Sequence, residues 1–174
     1  MGVCIMSFLS KVLFMNARKV TGIDTGSSES GGSTNTPVTK ENLLKINYEP
    51  FDSSTNTAGV IFSDYATGDS NAKTITHTVD GFSSSSAYVW TGFTIGKTYK
   101  YSAKIDGDFE NTFLRVKCLN KLNKAIADTG DNNLGVASVS FTVVANTKKL
   151  QVFVGTGTCH KGSTTFSDIR LEEV

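Results

Sequence analysis

The chain has 174 residues, of which 39% are hydrophobic and 19% are charged, and its formal net charge is +1. The near-neutral balance argues against a protein that binds nucleic acid, because such a protein needs a basic patch to neutralise several phosphates. The length fits one domain with an appendage. The many Ser, Thr, Gly and Asn residues are typical of an all-β domain with frequent turns.

The first segment, residues 1–24, combines apolar residues with a short basic stretch, and we predict that it is an anchoring arm. Its apolar residues have the spacing of one face of a short amphipathic helix, and such a face needs a partner that covers it. The expected partner-binding residues are Phe8, Leu9, Val12, Leu13 and Phe14. Residues 1–15 lack the basic start of a signal peptide and are too short to span a bilayer. Met1, Met6 and Met15 are alternative start positions.

Residues 25–37 are rich in Gly, Ser and Thr and predict a flexible linker, because they offer almost nothing to bury. Residues 38–174 contain all of the strand signals and form the predicted domain. Apolar and polar residues alternate there with a period of two, which is the pattern of half-buried strands. The predicted strands are Asn42–Asn47, Gly59–Tyr65, Lys73–Val79, Ala87–Ile95, Tyr99–Ile105, Phe113–Leu119, Ala137–Val144, Lys149–Gly155 and Thr165–Val174.

This series of strands, separated by Gly, Asn, Asp and Ser turns, predicts an all-β fold, an antiparallel jelly-roll β-sandwich. Within Lys73–Val79, the alternation places Ile75, His77 and Val79 on one face. The stretch GFTIGKTYKYSAKIDG, residues 92–107, is interpreted as a β-hairpin that turns at Gly96 and Lys97.

No nucleophile elbow, zinc-protease helix or phosphate-binding loop occurs in the sequence. The two histidines are predicted in a strand (His77) and in a loop (His160). Acidic residues such as Asp106 and Asp108 flank a glycine, which is a turn pattern rather than a pair of catalytic carboxylates. We therefore expect a protein that is not an enzyme.

Four stretches, in order along the domain, resemble the carbohydrate-binding modules of the galactose-binding-like jelly-roll type. They are NLLKINYEPF near the entry strand, GFTIGKTYKYSAKI, FTVVANTKKLQVFVG, and the closing TFSDIRLEEV. Together they span residues 42–174. Modules of this type also occur on bacteriophage head fibres, capsid decorations and tail proteins. The resemblance implies the fold and a structural calcium ion that joins the entry and closing strands, held here by Glu49 and Asp168, whose carboxylates suit a hard cation.

The resemblance also implies a glycan ligand that stacks on aromatic rings. The candidate ligand-binding residues are Tyr65, Tyr88, Trp90 and His160. If Tyr88 and Trp90 share one face of their strand, Phe93 takes the other and suits the core, which leaves Trp90 outward or on the concave sheet. The alternative is a core position, which is the more frequent one for a single Trp in a sandwich.

Two functions follow from the layout of arm, linker and sandwich. The first is an accessory protein of a phage virion, assembled in the host cytoplasm. Its arm would bind capsid or tail proteins, it would form a homo-oligomer, and its sandwich would bind a glycan on the host surface. The alternative is an extracellular carbohydrate-binding module of a bacterial glycan-degrading system. Neither function involves a membrane span or nucleic acid.

Overall fold

The computed structural model describes residues 40–48, 63, 65–130 and 133–174, which fall within the compact unit Lys40–Val174. The predicted arm with its five apolar residues, the linker and Glu49 lie outside the described residues, as does most of the strand predicted at Gly59–Tyr65. Across the described ranges, no helix is long and apolar enough to cross a membrane.

The described chain forms two antiparallel sheets, which confirms the predicted all-β sandwich. One sheet has five strands in the order β1-β2-β9-β4-β7, and the other has four in the order β3-β8-β5-β6. The strands are β1 (Ala66–Asp69), β2 (Thr74–Asp80), β3 (Ser84–Trp90), β4 (Thr98–Asp106), β5 (Thr112–Leu119), β6 (Ala125–Thr129), β7 (Ser138–Thr142), β8 (Lys149–Thr156) and β9 (Lys161–Glu173). A short 3-10 helix, Phe109–Asn111, precedes β5.

The core lies between the two sheets, and the alternation of each strand decides which side chains enter it. On β5, Leu114, Val116 and Cys118 are buried in the core, and the side chains between them face outward. β4, β8 and β9 contribute in the same way, with Tyr99, Tyr101, Leu150, Val152, Val154, Phe166, Ile169 and Leu171. Burial of this apolar surface is the main favourable contribution to folding, at about 25 cal/mol per Å² removed from water.

A β-bulge interrupts β9 at Asp168. Ser102 pairs with Arg170, whereas Lys104 pairs with Ser167, so β9 contains one residue more than β4 over this interval. Asp168 takes up the extra residue with a φ of 46°, a left-handed conformation that Asp tolerates better than most residues. The bulge changes the phase of the strand and lets both Phe166 and Ile169, three positions apart, point into the core.

The predicted hairpin at residues 92–107 is wrong, because its two strands belong to different sheets. β3 pairs with β8, whereas β4 pairs with β7 and β9. β3 already ends at Trp90, and the chain then crosses from one sheet to the other. A turn does occur at the expected place: Lys97 N donates to Thr94 O at 3.2 Å, and Gly96 N donates to Val143 O at 2.8 Å.

The predicted strand Asn42–Asn47 is not a regular strand, although it follows the edge of β9. Leu43 N donates to Leu171 O at 2.9 Å. The Asn42 side chain donates to Ile169 O at 2.9 Å and accepts from Leu171 N at 3.0 Å. Asn42 therefore attaches this segment to the region of the bulge. Two short strands, β1 and β6, were not predicted.

Candidate functional site

Tyr88 and Trp90 lie on the inner face of β3, partly buried against the core. The Trp90 ring contacts the edge of Tyr99 at a centroid distance of 5.5 Å and that of Phe93 at 6.2 Å. Phe93 packs against the core as expected, and Trp90 packs there too, which is the core alternative and not an outward position. β3 ends at Trp90, so the alternation of inward and outward side chains does not continue to Phe93. A ligand-binding role for Tyr88 and Trp90 stays a prediction.

Tyr65 is the most exposed of the predicted aromatic residues, with 52% of its surface accessible. Its ring meets Phe82 edge-on at a centroid distance of 4.5 Å, and Phe82 is itself 37% exposed. Tyr65 precedes β1, and its carbonyl accepts a hydrogen bond from Thr78 N at 3.0 Å. The structure therefore presents an exposed aromatic pair here, apart from the inward-facing Tyr88 and Trp90.

His160 is fully buried rather than displayed on a surface loop. Its Nδ1 lies 3.3 Å from Asp108 Oδ2, but without the geometry of a hydrogen bond. Its Nε2 lies 3.5 Å from Thr164 Oγ1. A ligand would reach this ring only after surrounding side chains had moved.

His77 is also fully buried, and it joins the two sheets. From β2, its Nδ1 lies 2.8 Å from Ser84 Oγ and its Nε2 lies 3.0 Å from Ser86 Oγ, both on β3. Burial, with a smaller contribution from the nearby His160, lowers the pKa of His77 to about 4. Since the charged form is disfavoured and both ring nitrogens are engaged, His77 is a neutral connector in the core.

Asp168, the described half of the predicted calcium site, lies at the bulge with cations beside it. Arg170 Nη1 is 3.7 Å from one carboxylate oxygen, and Lys104 Nζ is 3.9 Å from the other. Burial raises the pKa of Tyr48, and the negative charge of Asp168 contributes to the same shift. Among the described residues, no group of three His, Cys, Asp or Glu side chains could hold a metal. Since Glu49 lies outside those residues, the calcium site stays a prediction.

A groove that the sequence analysis missed lies on the outer side of the four-stranded sheet. We call it the Phe113 groove; its volume is about 420 Å³. Its lining residues are Ser83, Ser84, Ser85, Phe113, Arg115, Gly130, Leu134, Gly157 and Thr158. The volume falls in the range of about 300–1,000 Å³ that is usual for small-ligand sites.

The position of the Phe113 ring depends on a glycine in the neighbouring strand. Phe113 on β5 pairs with Gly155 on β8. A Cβ atom at position 155 would overlap the Phe113 ring and would lie 2.6 Å from Ser84 O. Gly155 therefore lets the ring lie directly over the sheet, where it forms one wall of the groove.

Next to the ring, Arg115 and Asp128 form a bidentate ion pair. Arg115 Nε donates to Asp128 Oδ1 at 2.8 Å, and Nη2 donates to Oδ2 at 2.5 Å. The two side chains are 24% and 27% exposed. Paired planar groups of this kind hold each other in a fixed orientation. They can present further donors and acceptors to a ligand without being reordered.

The groove thus combines one aromatic wall, an arginine that is oriented by its ion pair with Asp128, and several hydroxyl groups. A ligand that suits it has an apolar face for the ring and polar groups along its edge. A pyranose ring has this chemistry, with C–H groups on its faces and hydroxyls around its rim. The outward position of the Phe113 ring could have been predicted from the sequence. Leu114, Val116 and Cys118 alternate along one strand as core residues, so Phe113 and Arg115 lie on the opposite face.

Comparison of the chain with protein-family models found no match, and comparison with curated proteins found none either. Several solved structures share its fold. The accessory secretory protein 1, 2 and 3 structure from Streptococcus pneumoniae has a TM-score of 0.53 at 11% identity, over 68% of this chain and 92% of that chain. The glycosylation-associated Gap123 complex from Streptococcus agalactiae has a TM-score of 0.52 at 16% identity, over 75% of this chain.

The chain spans only 45% of the length of the Gap123 chain that it matches. A third structure, of promiscuous carbohydrate-binding modules from the β-sandwich superfamily, has a TM-score of 0.47 at 14% identity, over 76% of this chain and 62% of that chain. At these identities the likeness concerns the fold alone. The sandwich expected from the resemblance to carbohydrate-binding modules is confirmed, and the virion context stays a prediction.

Proposed function

We propose that this chain is a non-catalytic carbohydrate-binding β-sandwich whose ligand lies in the Phe113 groove. The observation that carries the proposal is the Phe113 ring, held over Gly155 beside the bidentate Arg115–Asp128 pair. The ring supplies a flat apolar surface, and the charged pair supplies oriented polar atoms at its side. The sugar would stack on the ring and exchange its hydration for hydrogen bonds at the rim.

The state of the histidines supports binding without catalysis. Both are fully buried, and His77 is held neutral between Ser84 and Ser86 with its pKa lowered to about 4. A general base has to reach the substrate and to have a pKa near the working pH. Neither histidine meets both conditions. Glycoside hydrolysis usually depends on a pair of carboxylates, and Asp128, the carboxylate beside the ring, is bound by Arg115. We therefore expect the bound glycan to be released unchanged.

The test is a glycan array probed with the full chain, followed by titration of the best-binding sugar. We expect Phe113→Ala to weaken binding about tenfold or more, because it removes an aromatic contact and its buried apolar area. Phe113→Tyr keeps the ring and should keep most of the affinity. Reducing-end assays of the incubated sugar should show no hydrolysis.

Tyr65→Ala is the matched control, since it removes an exposed aromatic ring outside the groove. Binding that is lost in Tyr65→Ala but retained in Phe113→Ala would move the site to the Tyr65–Phe82 pair and contradict the groove. A wild-type chain that binds no glycan on the array would contradict the proposed function itself. Thermal unfolding of each variant checks that a loss of binding is not a loss of fold.

For the protein's setting, we propose an accessory role on a phage particle, in which residues 1–24 bind a capsid or tail protein and the sandwich faces the host surface. The support is the sequence layout of apolar arm, polar linker and sandwich. The alternative remains an extracellular module of a bacterial glycan-degrading system. The two settings differ in what the arm does.

A further inference from the structure

A second concave surface lies beyond the end of β5, whereas the Phe113 groove lies at the beginning of that strand. We call it the lysine cleft; its volume is about 640 Å³. It is lined by the loop after β5, the start of β6 and the loop before β8, with Asn120, Lys121, Leu122, Ile126, Val144, Ala145, Asn146 and Lys148. The resemblance to carbohydrate-binding modules assigned no role to these residues.

The cleft has an apolar lining that is exposed to solvent. Leu122 is 75% exposed, Ile126 is 40% exposed and Val144 is 37% exposed. A single exposed aliphatic side chain on a surface needs no explanation, but a cluster around one concavity indicates an interaction site. There is no aromatic ring among the lining residues, so the cleft does not have the chemistry of the Phe113 groove.

Hydrogen bonds hold both loops in place. Asn120 Oδ1 accepts from Leu122 N at 2.9 Å and from Lys124 N at 3.1 Å. On the other side, Thr147 Oγ1 donates to Val144 O at 2.7 Å. Lys148 N donates to Leu119 O at 2.7 Å, which ties the second loop to the end of β5. A surface that is already ordered loses little conformational entropy when a partner binds.

The two segments that line the cleft carry charge of one sign. Segments 119–127 and 143–150 contain Lys121, Lys124, Lys148 and Lys149 and no Asp or Glu. Lys149 Nζ donates to Asn123 Oδ1 at 3.2 Å, which leaves its charge unneutralised by that contact. A partner that covers this rim has to supply carboxylates, since like charges brought together would oppose association.

We propose that the lysine cleft binds an acidic segment of a partner protein, with an apolar side chain in the cleft and flanking carboxylates on the lysines. The shape favours a peptide over an anionic membrane, because a planar lipid surface would leave a cavity of about 640 Å³ unfilled. Apolar contacts would supply most of the affinity, and the lysines would select the acidic sequence and speed its association.

The test is selection of a random peptide library on the immobilised full chain, followed by affinity measurement of the enriched peptides. We expect peptides with Leu, Ile or Phe flanked by Asp or Glu. Their affinity should fall about tenfold or more in the double variant Lys121→Glu, Lys148→Glu, and should weaken with added salt. Lys100→Glu, an exposed lysine on β4, is the matched control and should bind like the wild type.

Three outcomes would overturn the proposal: no enriched sequence, enrichment without acidic residues, or affinities that the double variant leaves unchanged. If the chain enriches no peptide but binds phosphatidylserine-containing vesicles, the cleft would instead be assigned to a lipid surface. The inference does not depend on glycan binding. Phe113→Ala should therefore leave peptide binding intact. Failure of the peptide proposal can thus be distinguished from failure of the glycan proposal.

Discussion

Among single residues, His77 shows most directly how the sandwich depends on protonation. Its two ring nitrogens contact Ser84 and Ser86 across the interior, and its ring meets Phe166 edge-on at 5.5 Å. A proton added to the ring would place a charge among apolar groups and would remove its capacity to accept a hydrogen bond. The folded state therefore favours the neutral form.

We predict that His77 makes the free energy of unfolding depend on pH between about 6.5 and 4. The pKa is lowered in the folded state to about 4, so the unfolded chain takes up the proton first as the pH falls. The contribution is complete above pH 6.5 and is lost progressively towards pH 4, by about 3 kcal/mol in all. Urea unfolding at a series of pH values measures this loss.

His77→Gln is the comparison, because it keeps a polar side chain without the titration. Its absolute stability is expected to be lower, so the informative quantity is the slope against pH. The slope of the wild type should be steeper between pH 4 and 6.5. Equal slopes in the two proteins would show that His77 does not carry the effect.

Gly155 is the second residue for which the structure supports a specific prediction. We predict that Gly155→Ala destabilises the protein by about 2 kcal/mol, because the new methyl group overlaps the Phe113 ring and approaches Ser84 O to 2.6 Å. It should also weaken glycan binding by displacing the ring. Calorimetry and the glycan titration give the two values.

Gly157→Ala is a milder substitution in the same groove. Its added Cβ would meet the methyl groups of Leu134 at 3.2 and 3.3 Å, and that side chain can move. We expect a smaller loss of stability than for Gly155→Ala. A larger loss would contradict the role given to the close approach of Phe113 to the sheet.

At the scale of elements, the segment between β3 and β4 carries a testable hydrogen bond. The Tyr99 hydroxyl oxygen, at the start of β4, accepts from Thr94 N at 2.9 Å. Tyr99→Phe removes this acceptor and should cost about 1 kcal/mol, with the loss concentrated in the crossing segment. The Thr94 amide should exchange its hydrogen faster than in the wild type. Amides within β5 and β8 should exchange faster only to the extent that the global stability falls. Unchanged Thr94 exchange would refute this attachment.

The alternation of residues predicted the central strands well, because a period of two follows directly from burial on one face. It did not predict their partners. The strands on either side of Gly96 are close in sequence and read as a hairpin, yet no local signal records that one belongs to each sheet. β1 and β6 were missed because short strands with mostly exposed residues show no clear alternation.

The same limit of local patterns explains which side-chain positions at the candidate site could be predicted. Phe93 was used to set the phase of Trp90, but the phase holds only inside a strand, and β3 ends at Trp90. Phe113 lies within an unbroken strand, so its outward position follows from the buried Leu114 and Val116. The groove itself also needs Gly155 and Asp128 from other strands, and this long-range assembly cannot be seen in one segment.

For the whole molecule, the decisive prediction concerns residues 1–24. If the arm mediates assembly, the full chain should be an oligomer, and a truncated chain that begins at Val38 should be a monomer. Light scattering gives the molar mass of both. The truncation retains the compact unit Lys40–Val174, and circular dichroism checks that the sheets remain.

Monomers in both samples would contradict a self-assembling arm. The phage setting would then depend on showing that a capsid or tail protein binds the full chain and not the truncated one. Without such binding, the extracellular carbohydrate-binding module becomes the better account of the molecule's setting.

The position of β9 has a consequence for the order of events during synthesis. This strand follows all the others in sequence, yet it lies in the middle of the five-stranded sheet, between β2 and β4. Until the ribosome has released residues 161–173, the edges of β2 and β4 that will accept β9 have no partner. Unpaired edges invite association with other chains, and pairings across long stretches of sequence form slowly. The nascent chain is therefore most exposed to misassembly just before β9 emerges.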